Sequence, residues 1–320
     1  MSGDDPTLVT FGESMLRYTP ADGERLEGAA ELNVHVGGAE SNVAVAAARL
    51  GCDAVWCSKL PSSPLARRIE RGLREHGVEP VVARGDGRVG TYYLDPGATP
   101  RPPTVVYDRD GAAVRTTTLA DLPVERVRAA DALYTSGITP ALSETLATTA
   151  ADLLDAAGEA GTKRVLDVNY RAKLWGAAEA AATLRPLFAS VDTLVVAARD
   201  AATVLGRDGA PETVARGLAA DHGVDTVIVT RGDAGAVAVA DGECYEQSAF
   251  PADTVDPVGT GDAFVGGFLA ERLGGGSVPD ALTTGAATAA LKRTVPGDVA
   301  AVTPEEVRAV VDGDADGIDR

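Results

Sequence analysis

The sequence has few cysteines, histidines and lysines, and it lacks any long apolar run. Its 320 residues include 3 cysteines and 3 histidines, with no spacing typical of a metal site. We interpret Cys52, Cys57 and Cys244 as reduced thiols that pack in the interior. No stretch reaches the roughly 18 consecutive apolar residues of a membrane span, and no basic segment precedes an apolar one near the start. We therefore expect a cytoplasmic protein with no membrane partner.

Positive charge is also scarce. The chain has 29 Lys and Arg residues against 47 Asp and Glu residues, and its formal net charge is -18. Such an excess disfavours nucleic acid as a partner, so any phosphate ligand must be bound by local dipoles. The only lysines are Lys59, Lys163, Lys173 and Lys292. This bias is typical of adaptation to a high-salt cytoplasm, where salt screens an acidic surface, and a GC-rich genome would also replace lysine by arginine.

Apolar, β-branched segments alternate with alanine-rich helical segments along most of the chain. TLVTFG is followed by AVAAARLG, and the alternation continues through KRVLDV, TLVV and DTVIVT. This pattern predicts an α/β fold with a mostly parallel sheet flanked by helices. Two segments, 13–36 and 88–118, carry strand-like pieces without long helical runs. We predict that they pair into a small, discontinuous β lid over a larger domain made of residues 1–12, 37–87 and 119–320.

The segment DPVGTGDAF, from Asp256 to Phe264, places glycines and aspartates where an apolar helix begins. One interpretation is structural: Asp262 caps the helix, and the glycines form the preceding turn. The other is chemical, because a helix N-terminus presents unpaired N–H groups and the positive end of the helix dipole to an anion. In that case Asp262 is a candidate base next to a phosphate.

Three other segments carry candidate binding groups. In VGGAESN, Gly37 and Gly38 would let sugar hydroxyls approach the backbone, and Asn42 offers a donor and an acceptor; a tight turn before a capped helix is the alternative. TRGDAGA follows a predicted strand, where open α/β sheets bind ligands, although a turn between two strands has the same sequence pattern. DVNYRAKLW follows another strand and brings Arg171, which suits a carboxylate or phosphate unless it merely covers the surface.

Together, VGGAESN and DPVGTGDAF resemble the two signatures of the ribokinase-type, phosphofructokinase-B family of carbohydrate kinases. The resemblance covers nearly the whole chain, and SGITPALS and DVNYRAKLW are similar to segments of 2-keto-3-deoxygluconate kinases. It implies a kinase that uses ATP and Mg²⁺ and phosphorylates a hydroxyl of 2-keto-3-deoxygluconate. A fructokinase or other neutral-sugar kinase, and a sugar sensor without catalysis, are the alternatives. A dinucleotide oxidoreductase is disfavoured because G-x-G-x-x-G is absent after the first strand. We also expect a homo-oligomer.

The resemblance also assigns roles to residues. The N–H groups of Gly259, Thr260 and Gly261 would form an anion hole for the transferred phosphoryl group, and Asp262 would take the proton of the attacking hydroxyl. The residues expected to bind the sugar acid are Gly37, Gly38, Asn42, Tyr92, Tyr107, Arg109 and Arg171. The residues expected to bind ATP are Thr230, Gly232, Gly235, Gly259 and Gly261, with a helix from about Val278 to Arg293 beside the adenine.

The predicted ion sites depart from the family pattern. The N-x-x-E motif that helps to order magnesium in the family reads Ala197 to Asp200 here, so Asp200 is the predicted carboxylate and Ala197 supplies no polar group. Most magnesium ligands are then expected from ATP and water. Asp256 matches a position that helps to hold a monovalent cation in some relatives, which adds K⁺ to the expected ions. Asp108 stands where similar kinases have a tyrosine, and it would either weaken the local positive potential or hold Arg109.

Overall fold

The computed structural model describes residues 5–21, 23–97 and 99–313, and within them it has thirteen strands and eleven α-helices. The strands are β1 (Thr7–Phe11), β2 (Met15–Thr19), β3 (Asn33–Gly37), β4 (Asp53–Leu60), β5 (Glu79–Arg84), β6 (Thr91–Asp95), β7 (Thr104–Asp108), β8 (Ala132–Ser136), β9 (Lys163–Asp167), β10 (Thr193–Ala197), β11 (Thr226–Thr230), β12 (Ala236–Ala240) and β13 (Glu243–Gln247). The helices are α1 (Ala39–Arg49), α2 (Pro64–Arg74), α3 (Val124–Ala129), α4 (Ile138–Leu142), α5 (Glu144–Ala160), α6 (Ala177–Leu184), α7 (Ala198–Leu205), α8 (Pro211–His222), α9 (Thr260–Leu273), α10 (Val278–Arg293) and α11 (Pro304–Asp312).

A nine-stranded sheet forms the centre of the larger domain, in the order β13-β12-β11-β10-β9-β8-β1-β4-β5. The strands from β11 to β5 are parallel, and β12 and β13 add an antiparallel pair at one edge. Apolar residues alternate between the two faces: in β1, Val9 and Phe11 pack in one core and Leu8 packs in another. The predicted α/β fold with a mostly parallel sheet is confirmed.

The two segments that interrupt the alternation form a second, four-stranded sheet, in the order β3-β2-β6-β7. Each segment supplies an antiparallel pair, and a parallel pairing of β2 with β6 joins them. The end of the second segment behaves differently from our expectation, because Ala112 and Val114 pack in the core of the larger domain with Val9 and Phe11. The action of the small sheet as a lid stays a prediction.

Two of the three cysteines lie in the protein interior. Cys52 and Cys57 are buried and all three thiols are free, and burial raises the pKa of Cys52 and of Cys57 to about 12. Among the described residues, no helix has the length and apolar character needed to cross a membrane.

Three helices on one face of the large sheet, α1, α9 and α10, pack closely together because small residues lie between them. A Cβ atom added at Gly266 of α9 would lie 2.4 Å from the Cβ of Ala46 in α1, and one added at Gly267 would lie 2.6 Å from Oγ1 of Thr288 in α10. Larger side chains would push the helices apart. The glycines of α9 therefore bring its N-terminal end next to that of α1.

Candidate active site

One cleft collects the C-terminal ends of β9, β10 and β11, the N-terminal ends of α1 and α9, and residues of the small sheet. Its volume is about 390 Å³, within the usual range of small-molecule sites, roughly 300 to 1,000 Å³. Most residues that the sequence assigned to a site line this cleft: Gly37, Gly38, Asn42, Tyr92, Tyr107, Arg109, Arg171, Asp200, Thr230, Gly259, Thr260, Gly261 and Asp262. Gly232, Gly235 and Asp256 are not among the lining residues.

Asp262 is the third residue of α9 and is buried at the bottom of this cleft, with 8% of its surface exposed. Its carboxylate accepts a hydrogen bond of 2.7 Å from Nδ2 of Asn42, in the first turn of α1. The residue that caps α9 is Gly259, and no side chain bonds to this helix end. Asp262 is therefore not the helix cap. Burial raises the pKa of Asp262, and the Asn42 hydrogen bond and the Arg171 charge oppose that rise.

The turn before Asp262 has two glycines with different tasks. Gly259 has φ 81, and a Cβ atom there would lie 1.9 Å from the backbone oxygen of Asp298, so only glycine fits. Gly261, in contrast, has open space where its Cβ would stand, and that space is the cleft. Thr260 uses its hydroxyl locally, donating to the carbonyl of Pro257 at 2.7 Å. An anion could therefore approach the free end of α9 at Gly261.

Replacing Gly261 with valine is expected to lower kcat/KM by about tenfold to a hundredfold, because the side chain would displace a phosphoryl group by an ångström or more. The melting temperature should change little, since the added atoms enter open space. Gly259→Val is the contrasting variant, because it would collide with the backbone of Asp298 and should mainly lower stability. Steady-state kinetics and thermal melts of both variants check this. Unchanged kinetics for Gly261→Val would mean that the glycines only form a turn and do not bind the phosphoryl group.

Two arginines reach the cleft in different electrostatic settings. Arg171, in the loop after β9, is partly buried and has no carboxylate within ion-pair distance among the described residues. Arg109 is 7% exposed, pairs with Glu13 at 3.3 Å and stacks 4.4 Å from the ring of Tyr107. Arg171 is consequently the cleft arginine without a carboxyl group beside it among the described residues, whereas Arg109 has Glu13 beside it, a carboxyl whose pKa is raised by burial.

Asp108, the residue before Arg109, forms its ion pair with a different arginine. Asp108 is partly exposed and forms a two-point ion pair with Arg88, 2.6 Å for each contact. Asp108 thus does not hold Arg109, which was one of the two effects we expected from it.

The glycine pair before α1 packs tightly against other segments of the chain and also lines the cleft. A Cβ atom at Gly37 would lie 2.4 Å from Oδ1 of Asp298, and one at Gly38 would lie 2.0 Å from the backbone oxygen of Glu13. Both glycines line the cleft. Close packing of three segments therefore requires them irrespective of any bound sugar.

Tyr92 already has a partner in the protein. Its hydroxyl donates to Oδ1 of Asp298, whose Oδ2 lies 3.1 Å from the guanidinium of Arg17. Burial raises the pKa of Asp298 to about 6, and the Arg17 charge opposes the rise. Of the two tyrosines assigned to the sugar, Tyr107 is the one whose hydroxyl has no hydrogen bond within the described part of the chain.

The predicted nucleotide residues divide between the cleft and a turn beside it. Thr230, at the end of β11, lines the cleft. Gly232 and Gly235 have φ 61 and φ 89 and form the connection to β12, where the N–H of Arg231 donates to the carbonyl of Gly235 at 2.8 Å. The turn interpretation therefore accounts for these two glycines. A helix does occur at Val278–Arg293, and its contact with an adenine stays a prediction.

The carboxylates available to a magnesium ion are Asp200 and Asp167, which both line the cleft together with Ala197. Burial raises the pKa of Asp200, and it raises that of Asp167 to about 8, to which the Asp262 charge adds. Grouped carboxyls that repel one another in this way are suited to a divalent cation. No group of three or more metal-ligating side chains occurs in the ranges that the structure describes.

Asp256 is buried outside the lining of the cleft, and both of its carboxylate oxygens accept hydrogen bonds. Oδ2 accepts from Arg17 and from the N–H of Gly297 at 3.0 Å, and Oδ1 accepts from the N–H of Val258 at 3.0 Å. The pKa of Asp256 is lowered: burial is the largest single effect and would raise it, but the hydrogen bond and charge of Arg17, the bond from Val258 and the charge of Lys292 together outweigh burial. A cation at the site predicted for Asp256 would therefore share this carboxylate with Arg17 and two backbone N–H groups, and the site stays a prediction.

Sequence reasoning missed several buried polar residues around the site, namely Glu13, Arg17, Glu40, Lys292 and Asp298. Glu40 offered a signal, because it lies inside VGGAESN. Its Oε1 accepts from the hydroxyl of Ser136 at 2.6 Å and that of Thr139 at 2.8 Å. Burial raises the pKa of Glu40 to about 7. Glu13, Arg17 and Asp298 had no local signal, since their charged partners lie far away in the sequence, and neither did the bond from Lys292 to Asp256.

The titration of Glu40 predicts that Glu40→Gln weakens the pH dependence of stability. The folded state holds the proton more tightly than the unfolded state, so stability from this group is present below pH 4.5 and is lost as the pH rises towards 7. A shift of this size corresponds to about 3 kcal/mol. Glutamine keeps the acceptor that Ser136 and Thr139 use but cannot ionise.

Chemical denaturation of both proteins between pH 5 and pH 8 measures this effect. The wild type should lose more free energy of unfolding across that interval than the variant does. Identical losses in the two proteins would mean that Glu40 is ionised throughout.

Comparison with known proteins gives a consistent result. Residues 5–305 match the model of the pfkB family carbohydrate kinases. The chain is 55% identical over 314 residues to the 2-dehydro-3-deoxygalactonokinase of Haloferax volcanii, covering 98% of this chain and 99% of that one. It is 31% identical over 302 residues to the 2-dehydro-3-deoxygluconokinase of Thermoproteus tenax, covering 91% and 90%.

Among solved structures, the 2-dehydro-3-deoxygluconokinase of Thermotoga maritima superposes with a TM-score of 0.92 at 33% identity, over 97% of this chain and 99% of that one. The family match, the shared fold and the arrangement of Asp262, Gly261 and Asn42 in one cleft agree with the resemblance found in the sequence. This chain belongs to the pfkB family of carbohydrate kinases.

Proposed function

We propose that this kinase transfers the γ-phosphoryl group of ATP to a hydroxyl of a 2-dehydro-3-deoxy sugar acid, with Asp262 as the base. The observation that carries the proposal is a buried carboxylate beside the open N-terminus of α9, in a cleft that also holds the unpaired cation of Arg171. The relatives at 55% and 31% identity act on substrates of this class by name.

Asp262 and the end of α9 suit the two needs of an in-line phosphoryl transfer. The sugar hydroxyl must lose its proton, and the transferred group must have its negative charge stabilised. A carboxylate whose pKa is raised by burial accepts a proton more readily than an ordinary aspartate. The N–H groups near Gly261 and the positive end of the helix dipole face the same space. The new O–P bond thus forms as the proton passes to Asp262 and ADP leaves.

Magnesium fits the residues of this cleft. Asp200 and Asp167 are the carboxylates that would hold it, directly or through water, and it would neutralise charge on the ATP phosphates. Thr230 and the segment that follows β11 lie at the C-terminal edge of the sheet, where such folds bind nucleotides.

The choice of sugar depends on charge. A sugar acid brings a carboxylate that a neutral sugar lacks, and Arg171 is the cation in the cleft without a carboxylate partner among the described residues. We expected 2-keto-3-deoxygluconate from the sequence, and the relative at 55% identity is named for the galactonate isomer. We therefore propose the 2-dehydro-3-deoxy class and treat the isomer as the first question for assay.

A coupled assay of ADP release tests the proposal. The purified chain is given ATP, Mg²⁺ and, in turn, 2-dehydro-3-deoxygluconate, 2-dehydro-3-deoxygalactonate and fructose, in concentrated potassium chloride because of its acidic surface. We expect the two sugar acids to give a higher kcat/KM than fructose. A preference for fructose would favour a neutral-sugar kinase, and no ADP release with any of them would favour a sensor.

A further inference from the structure

Lys292 is the fully buried lysine of this chain, with 0% of its surface exposed. It lies in the last turn of α10, and its ammonium donates to the backbone carbonyl of Asp256 at 3.0 Å and to that of Val295 at 3.4 Å. It forms no ion pair with a carboxylate in the part of the chain that the structure describes. The charge is thus held by carbonyl oxygens.

A helix end alone does not explain this arrangement. Lysines in a last turn often bond the terminal carbonyls of their own helix, but the shorter bond of Lys292 goes to the loop before α9. Burying an ammonium costs free energy, and burial lowers the pKa of Lys292 while the charges of Asp256 and Asp298 raise it. A residue with this cost at this place points to a need for positive charge there.

The bonded carbonyl belongs to the turn that forms the anion hole. Asp256 starts this turn, its carboxylate accepts from the N–H of Val258, and Gly259 ends it as the cap of α9. The backbone N–H groups of Val255 and Asp256 also donate to the carbonyl of Arg293, next to Lys292. The C-terminal end of α10 therefore fixes the turn that presents Gly261 to the cleft.

We infer that the ammonium of Lys292 is a built-in monovalent cation, a positioning group that holds the Asp256–Gly259 turn in the place of a bound K⁺. Backbone carbonyls are the ligands that bind K⁺ in proteins, and here the carbonyl of Asp256 already bonds to the ammonium. Both carboxylate oxygens of Asp256 are used by other donors. This inference rests on the proposed kinase activity, and it predicts turnover without any added small cation.

The wild-type enzyme gives the first test. Its kcat for the preferred sugar acid is measured in the chlorides of potassium, sodium and tetramethylammonium at equal ionic strength, and the three values should agree within about twofold, because the salts screen charge equally. A wild type that phosphorylates the sugar acid only with K⁺ overturns the inference and leaves the proposed function standing. A wild type inactive in every salt overturns the proposed function instead.

Two substitutions give the second test. Lys292→Ala leaves a space the size of a small cation, and Lys292→Met fills that space without a charge. Both should lower kcat by about tenfold or more, as for supporting groups around other charged sites, with less change in KM. Potassium or ammonium should partly restore Lys292→Ala but not Lys292→Met, and tetramethylammonium should restore neither. Lys163→Met, at an exposed lysine, is the control and should behave as the wild type.

A merely structural lysine would give a different pattern. A Lys292→Met enzyme with wild-type kcat, or a folded Lys292→Ala enzyme that no small cation restores, overturns the inference. Folding is checked by thermal melts and by ATP binding, and if neither variant folds, the comparison of salts with the wild type decides alone.

Discussion

Replacing Asp262 with asparagine is expected to lower kcat by at least about a hundredfold, the typical share of a general base. Folding and ATP binding should remain nearly intact. The amide has the shape of the carboxylate, and its oxygen can still accept the 2.7 Å hydrogen bond from Asn42. It cannot take the proton of the attacking hydroxyl. Steady-state kinetics, an ATP titration and a thermal melt of the variant measure these three properties.

Asp280 provides a matched control for this substitution. It is also the third residue of a helix, α10, but it bonds to the cap residue Ser277 and lies outside the cleft. Asp280→Asn should therefore cost a little stability and no turnover. A near wild-type kcat in Asp262→Asn would mean that Asp262 is not the base. An equal loss of kcat in both variants would indicate a general effect of the substitution on helix ends.

The pH dependence of the wild type gives an independent check on the same group. A base must be unprotonated, so kcat/KM should fall as the pH drops through the pKa of Asp262, which burial raises above that of an ordinary aspartate. Asn42→Ala removes a hydrogen bond that lowers this pKa, so the fall should begin at a higher pH in the variant. If kcat/KM falls at the same pH in both enzymes, the group that titrates on the acidic limb is not Asp262.

Local sequence signals were enough to predict that glycines and a carboxylate meet at the start of α9. The segment DPVGTGDAF contains the glycines at the start of the helix next to the aspartate of the first helical turn, and all of them line the cleft in the structure. The alternation of strands and helices likewise predicted the large sheet. Both signals depend on neighbours in the sequence, which is why a single sequence carried them.

Partnerships between distant segments could not be predicted in this way. Arg17 bonds to Asp256 across 239 residues, and Tyr92 bonds to Asp298 across 206. No spacing or composition indicates that these buried charges meet. The same limit applies to Arg109, which we assigned to the substrate without knowing that Glu13 would lie 3.3 Å away. Arg109 and Tyr92 stay predicted substrate contacts: the Tyr92 hydroxyl already bonds to Asp298, and Arg109 has Glu13 beside it but keeps Nε and Nη1 without a hydrogen bond within the described residues.

Replacing Arg171 with leucine is expected to reduce kcat/KM for the sugar acid by about 30- to 150-fold, or about 2 to 3 kcal/mol, and to have a much smaller effect on fructose. This is the lower part of the range for a broken charge pair, because Arg171 is only partly buried. The loss should be selective, since only the sugar acid has a carboxylate for the guanidinium to bind. Measuring both substrates with wild type and variant gives the ratio directly.

The competing explanation for Arg171 is electrostatic rather than specific. Its charge lowers the pKa of Asp262, Asp167 and Asp200 against the effect of burial, so its loss could weaken catalysis for every substrate. That explanation predicts equal losses for the sugar acid and fructose, together with an acidic limb that moves to higher pH.

Arg199→Leu is the control: Arg199 also lines the cleft, but its side chain is 77% exposed and lies 3.4 Å from Asp200. It should not discriminate between the two sugars. A selective loss in Arg171→Leu alone would identify Arg171 as the group that recognises the carboxylate, and an equal loss on both sugars would assign it to the charge balance of the three aspartates instead.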